Sequence, residues 1–180
     1  SEKITKRDGN LWQDDCVEFF FFDPGKDVVK QFITNPIGTQ FDIELAQAQA
    51  GDPYKARKWD GEWTVKKWKN KNSWEVTLII PWKTLGFDGV PTYPVAMNFA
   101  RERFADKVVS HWNCYQGKLS EVSNFAQVDF TKNTVVRNRK IEKINYIPKR
   151  AKTLYKELLT NEKNDWLGFI WSSEFYLVYQ

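Results

Sequence analysis

Residues 16–23 read CVEFFFFD; DGNLWQDD precedes them at 8–15 and Pro24–Gly25 follows. An unbroken apolar run of this length, rich in aromatics and closed by Asp-Pro-Gly, reads as a β-strand ending in a turn. In an extended chain Cys16, Glu18, Phe20 and Phe22 share one face, and Val17, Phe19 and Phe21 share the other. Both faces are apolar, so the strand belongs at the centre of a sheet covered on both sides. Glu18 is the exception. A carboxylate on such a face needs hydrogen-bond donors. An arginine, Arg101 or Arg103, is one source, with Trp12 a simple capping ring. The hydroxyls of a bound sugar are the other. In that case Trp12, in the loop feeding the strand, stacks on the apolar face of a pyranose while Glu18 binds its rim.

Working outward, short runs rich in β-branched and aromatic residues recur between turn residues. They are VVKQFITN from Val28, QFDIEL from Gln40, EWTVKKW from Glu62, SWEVTLIIPW from Ser73, YPVAMNFARERF from Tyr93, VVSHWNCY from Val108 and FAQVDF from Phe125. Asn70, Lys71 and Asn72 suit a hairpin loop. This pattern predicts an all-β, antiparallel β-sandwich over residues 1–137. Residues 45–60 read as a long surface loop. Residues 138–180 read as an addition packed on the same domain. Ala151, Leu154, Tyr155, Leu158 and Leu159 recur at helical spacing, which predicts one amphipathic helix from Pro148 to Asn161. The aromatic tail DWLGFIWSSEFYLVYQ then docks as a strand, because so apolar a tail left free would aggregate.

Composition narrows the function. The chain has 180 residues, 27 basic and 23 acidic, and a formal net charge of +4. So balanced and scattered a charge argues against nucleic acid. No apolar run is long enough to span a membrane as a helix. No signal peptide is visible, and the initial serine points to a start lost upstream. Nine tryptophans and 16% aromatic residues exceed what the core needs, so some rings face a ligand. Cys16 and Cys114 are read as two buried thiols, with a disulfide between them the other option.

The segments TKRDGNLWQDDCVEFFFFDPG, KQFITNPIGTQFD, WEVTLIIPWKTLGF, YPVAMNFARER and SHWN resemble, in order and spacing, the family 9 carbohydrate-binding modules and their DOMON-like relatives. The resemblance runs from about Thr5 to Phe130. It implies a non-catalytic sugar-binding sandwich, with an oligo- or polysaccharide partner and often an attached glycoside hydrolase, placed outside the cell or in the periplasm. It also implies a sugar clamped between Trp12 and Trp112, with Glu18, Asn35 and Arg101 or Arg103 as polar ligands. Trp74 and Trp82 read as core. The family has further strands before the LWQDD segment, which this chain lacks; residues 138–180 are one candidate to fill that place. Family members hold structural calcium, for which Asp14, Asp15, Asp23 and Asp27 are candidate oxygens, although their spacing matches no EF-hand.

Two alternatives stand beside the sugar reading. Some DOMON-like domains bind haem through methionine and histidine, and Met97 and His111 fall on neighbouring predicted strands. A structural or protein-binding sandwich without a sugar site is the other. Catalysis has little support: Asp14 and Glu18 lie roughly 13 Å apart along an extended strand, whereas glycosidase carboxyls sit about 5–10 Å apart. His111 is the single histidine, and no phosphate loop or zinc spacing is present.

Overall fold

The computed structural model describes residues 1–46, 58–113 and 117–137, and the backbone of 140–143, 166–171 and 175–179. Its strands are β1 (Cys16–Asp23), β2 (Val28–Thr34), β3 (Gln40–Ala46), β4 (Thr64–Lys69), β5 (Trp74–Pro81), β6 (Val95–Arg103), β7 (Val108–His111), β8 (Ala126–Asp129), β9 (Thr134–Arg137), β10 (Lys140–Lys143), β11 (Trp166–Trp171) and β12 (Phe175–Tyr179). They form two sheets. The larger runs β10-β9-β8-β6-β1-β2-β3, with β7 also paired to β6; the smaller runs β12-β11-β5-β4. Every pairing among the described strands is antiparallel. The fold is the expected all-β sandwich.

CVEFFFFD forms β1, between β6 and β2. Its inner residues Val17, Phe19 and Phe21 join Phe32, Met97 and Phe99 of the large sheet, Val76, Leu78 and Ile80 of β5, and Trp82 in one core between the sheets. Each phenylalanine buried there contributes roughly 1.5–3 kcal/mol. Phe19 stacks on Phe99, with ring centroids 5.1 Å apart. Trp82 opens a one-turn helix, α1 (Trp82–Leu85), which stops at Gly86 in the left-handed conformation, φ 93°; that geometry favours glycine.

The outer face of the large sheet is also covered, in two patches. Leu11 packs with Cys16, Ile33, Phe41, Ile43 and Leu45, and Ile4 lies against them. Phe20, Val29, Ala100 and Phe125 form the second patch, against Leu119 and Val122. One cover is the N-terminal segment and the other is the loop after β7.

The tail supplies two strands where one was expected: β11 and β12 form a hairpin, and β11 pairs with β5. Strands β9 and β10 were not anticipated, because TVVR and KIEK are too short and polar to stand out. The helix expected at 148–161, Cys114 and most of the 45–60 loop lie outside the described residues.

Candidate functional site on the outer face of the large sheet

Between the two outer covers the sheet is left open, and a cavity of about 270 Å³ remains. Ligand pockets usually span roughly 300–1,000 Å³, so this one is sized for a single ring. Strand register builds its floor. Phe41, Ile33 and Glu18 stand side by side on β3, β2 and β1, and Ile43, Gln31 and Phe20 form the next row. Glu102 enters from β6, opposite Cys16.

Trp12 forms one wall. It lies in a 3-10 turn, Leu11–Gln13, closed by an Asp14 N–H donating to the Leu11 carbonyl at 2.9 Å. Adjacent residues of such a turn point about 120° apart. Leu11 is fully buried, so Trp12 is turned outward and remains 37% exposed. Its ring meets Phe41 edge-on, with centroids 5.6 Å apart. Asp14 ties down the segment leading into this turn. Its carboxylate accepts from Ser1 Oγ at 2.7 Å, from the Lys3 and Ile4 N–H groups at 2.8 Å each, and from Asn35 Nδ2 at 3.2 Å. Burial pushes the Asp14 carboxyl up, but the donors together prevail and hold it below the usual range.

Leu119 and Ser120 form the far wall. A buried asparagine network secures their loop. Asn98 Nδ2 and Asn113 Nδ2 both donate to the Asn124 carbonyl at 3.1 Å. Asn98 Oδ1 accepts from the Asn113 N–H at 3.0 Å, and Asn124 Nδ2 donates to the Lys118 carbonyl at 3.1 Å.

The polar centre of the cavity is a carboxyl pair. Glu18 is 4% exposed and accepts from Gln31 Nε2 at 2.7 Å. A carboxyl oxygen of Glu102 lies within 4.8 Å of the Glu18 carboxyl. Burial first, and then the Glu102 charge, push the Glu18 carboxyl up to about 8, against the opposing Gln31 bond. Burial raises Glu102 as well, while its bond from Glu18 acts the other way. Two buried carboxyls this close repel each other when both are charged, which favours the protonated form of each. The same surroundings raise the Cys16 thiol, chiefly through burial. Among the described residues, no basic side chain lines the cavity.

Of the residues expected at the site, Trp12 and Glu18 line this cavity. Trp112 does not join them. It packs beneath the opposite face of the sheet, against Phe99 at 5.2 Å between centroids and under the Arg137 guanidinium. Strand alternation is the reason: Trp112 follows β7 on the inner side, whereas Trp12 covers the outer side. A clamp between these two rings is therefore replaced by a cavity with one aromatic wall. Arg101 and Arg103 also alternate away from Glu102, to the face opposite Glu18, and Arg103 pairs with Asp106 at 2.5 Å. Glu18 thus takes its hydrogen bond from Gln31 and not from an arginine. Asn35 is buried, with Nδ2 donating to the Ile4 carbonyl at 2.8 Å and Oδ1 accepting from the Thr39 N–H at 2.9 Å. It is part of the scaffold.

Asp14 spends its oxygens on the donors named above, and Asp15 Oδ1 accepts from the Phe104 N–H at 2.9 Å. Met97 is buried in the inner core, while His111 pairs with Ala100 and shares the outer face. The sheet separates the two, so they cannot ligate one haem iron. Gln31, Glu102, Leu119 and Ser120 were missed by the sequence reading. For Glu102 the signal was present: it is the one acidic residue between Arg101 and Arg103, on the strand expected to carry a site residue.

No family profile and no curated protein matches the chain. Among solved structures the fold is similar to that of a Bacteroides uniformis ATCC 8492 protein named a "putative carbohydrate-binding protein". The TM-score is 0.51 at 16% identity, over 68% of this chain and 64% of that one. The likeness supports a shared β-sandwich fold.

Proposed function

We propose that this chain is a non-catalytic carbohydrate-binding module and that the outer-face cavity is its sugar site. The observation that carries the reading is the half-exposed Trp12 ring standing beside the buried Glu18 carboxyl in a one-ring cavity. A pyranose needs an apolar platform for its C–H face and acceptors for its hydroxyls. Trp12 offers the first, and Glu18, Gln31, Glu102 and Ser120 offer hydrogen-bonding groups for the second. The resemblance to the family 9 modules and the name of the Bacteroides protein support the same class. The two carboxyls do not suit hydrolysis: they sit side by side on one floor with oxygens within 4.8 Å, whereas a glycosidase pair must flank the scissile bond about 5 Å or more apart.

The reading brings with it an oligo- or polysaccharide partner. From the resemblance alone it also brings a role beside a glycoside hydrolase, outside the cytoplasm. A glycan array with the purified chain and with Trp12→Ala tests it. Glycans retained by the first and lost by the second are the expected result; a blank array, or one unchanged by the substitution, contradicts it.

A further inference from the structure

We infer that the cavity selects sugars bearing a free amine, the ammonium group seating against the paired carboxyls of Glu18 and Glu102. The inference rests on the sugar-binding reading and adds the ligand's charge. Three observations carry it. Oxygens of Glu18 and Glu102 lie within 4.8 Å of each other and of Cys16 Sγ, on the floor of the cavity. Among the described residues, the lining contains no lysine, arginine or histidine to neutralise them. The indole of Trp12 forms a wall, and an indole face attracts cations.

A neutral sugar leaves the pair as it is, with one proton and one negative charge. An ammonium offers three donors and a positive charge. When it enters, the second carboxyl ionises and one proton leaves to solvent. The ligand gains two charge-assisted hydrogen bonds, and net charge is conserved: a cation arrives and a proton departs. The other titratable groups close by are Cys16 and Asp14, both acidic, and His111, which shares the outer face on β7 but does not line the cavity. Gln31 from β2 fixes Glu18, and β3 contributes only Phe41 and Ile43.

The test is calorimetric titration of the intact chain with glucosamine, glucose and N-acetylglucosamine at pH 7, in two buffers of different ionisation heat. Glucosamine should bind about tenfold or more tightly than glucose, the scale of one charge-assisted bond. Its apparent enthalpy should depend on the buffer, as release of about one proton requires. Glu102→Gln should remove both effects, so that glucosamine loses its preference over glucose and its dependence on the buffer. Equal affinity for glucose and glucosamine, or glucosamine binding without proton release, overturns the inference and leaves the sugar site standing. Failure of all three sugars to bind overturns both.

Discussion

Gln31 on β2 reaches diagonally across the sheet and donates to Glu18 on β1 at 2.7 Å. That bond fixes the carboxyl in the floor of the cavity and turns its remaining capacity toward Glu102. The position has an energetic consequence. The folded carboxyl titrates near 8, against 4.5 for an unstructured glutamate. Between those values the folded chain holds a proton that the unfolded chain has lost, so stability falls as pH rises through the window and levels off above it. The slope is at most about 1.4 kcal/mol per pH unit from this one group. Denaturant melts from pH 5 to 9 should show the decline, and Glu18→Gln should flatten it. A slope unchanged in the variant would assign the effect elsewhere.

The two tryptophans of the expected clamp should separate cleanly on substitution. Trp12→Ala is expected to abolish sugar binding and to shift the melting temperature little, because the ring is half-exposed. Trp112→Ala is expected to destabilise the fold by about 3 kcal/mol through lost core packing. Paired melting and binding curves decide it, and the reverse pattern would return Trp112 to the site.

The asparagine network should behave as a unit. Asn98→Ala leaves the Asn113 N–H without its acceptor and removes one donor from the Asn124 carbonyl. A cost of about 2–3 kcal/mol is expected from buried groups left unpaired. Hydrogen exchange should rise at Leu119 and Ser120 in the same variant. Unchanged exchange there would mean that the far wall is held by other contacts.

Asp14 acts at the acid end of the pH range. Its carboxyl is held below the usual 3.8, so its stabilisation is present at neutral pH and is lost as pH falls through the depressed folded value. Asp14→Asn keeps one acceptor oxygen and should cost about 1–3 kcal/mol, with faster amide exchange at Lys3 and Ile4. Undiminished protection of those two amides would remove Asp14 from its anchoring role.

Much of the fold was legible in the sequence. CVEFFFFD marked a strand buried on both faces, because alternation with apolar residues at both parities has few other solutions. Glu18 was legible for the same reason: it is the one charge on that surface. What could not be read was which side of the sheet each distant partner faces. Trp112 and Arg101 come from the right strands, but a shift of one residue reverses a side chain's face, and register emerges only when β6 and β7 pair. Leu119, Ser120 and the asparagine network lie in a loop with no periodic pattern to read. Gln31 was hidden because a lone glutamine on a strand resembles any solvent-facing residue.

Which side chains respond to sugar tests the central claim most directly. Nitrogen-15 NMR of the intact chain, titrated with glucose and with glucosamine, reports on each indole and amide separately. Shifts gathered at the Trp12 indole, the Gln31 side-chain amide and the Leu119 and Ser120 amides, with the Trp112 indole unmoved, are the predicted result. Shifts centred on Trp112 and Arg101, or no shift at millimolar sugar, would contradict a sugar site on the outer face.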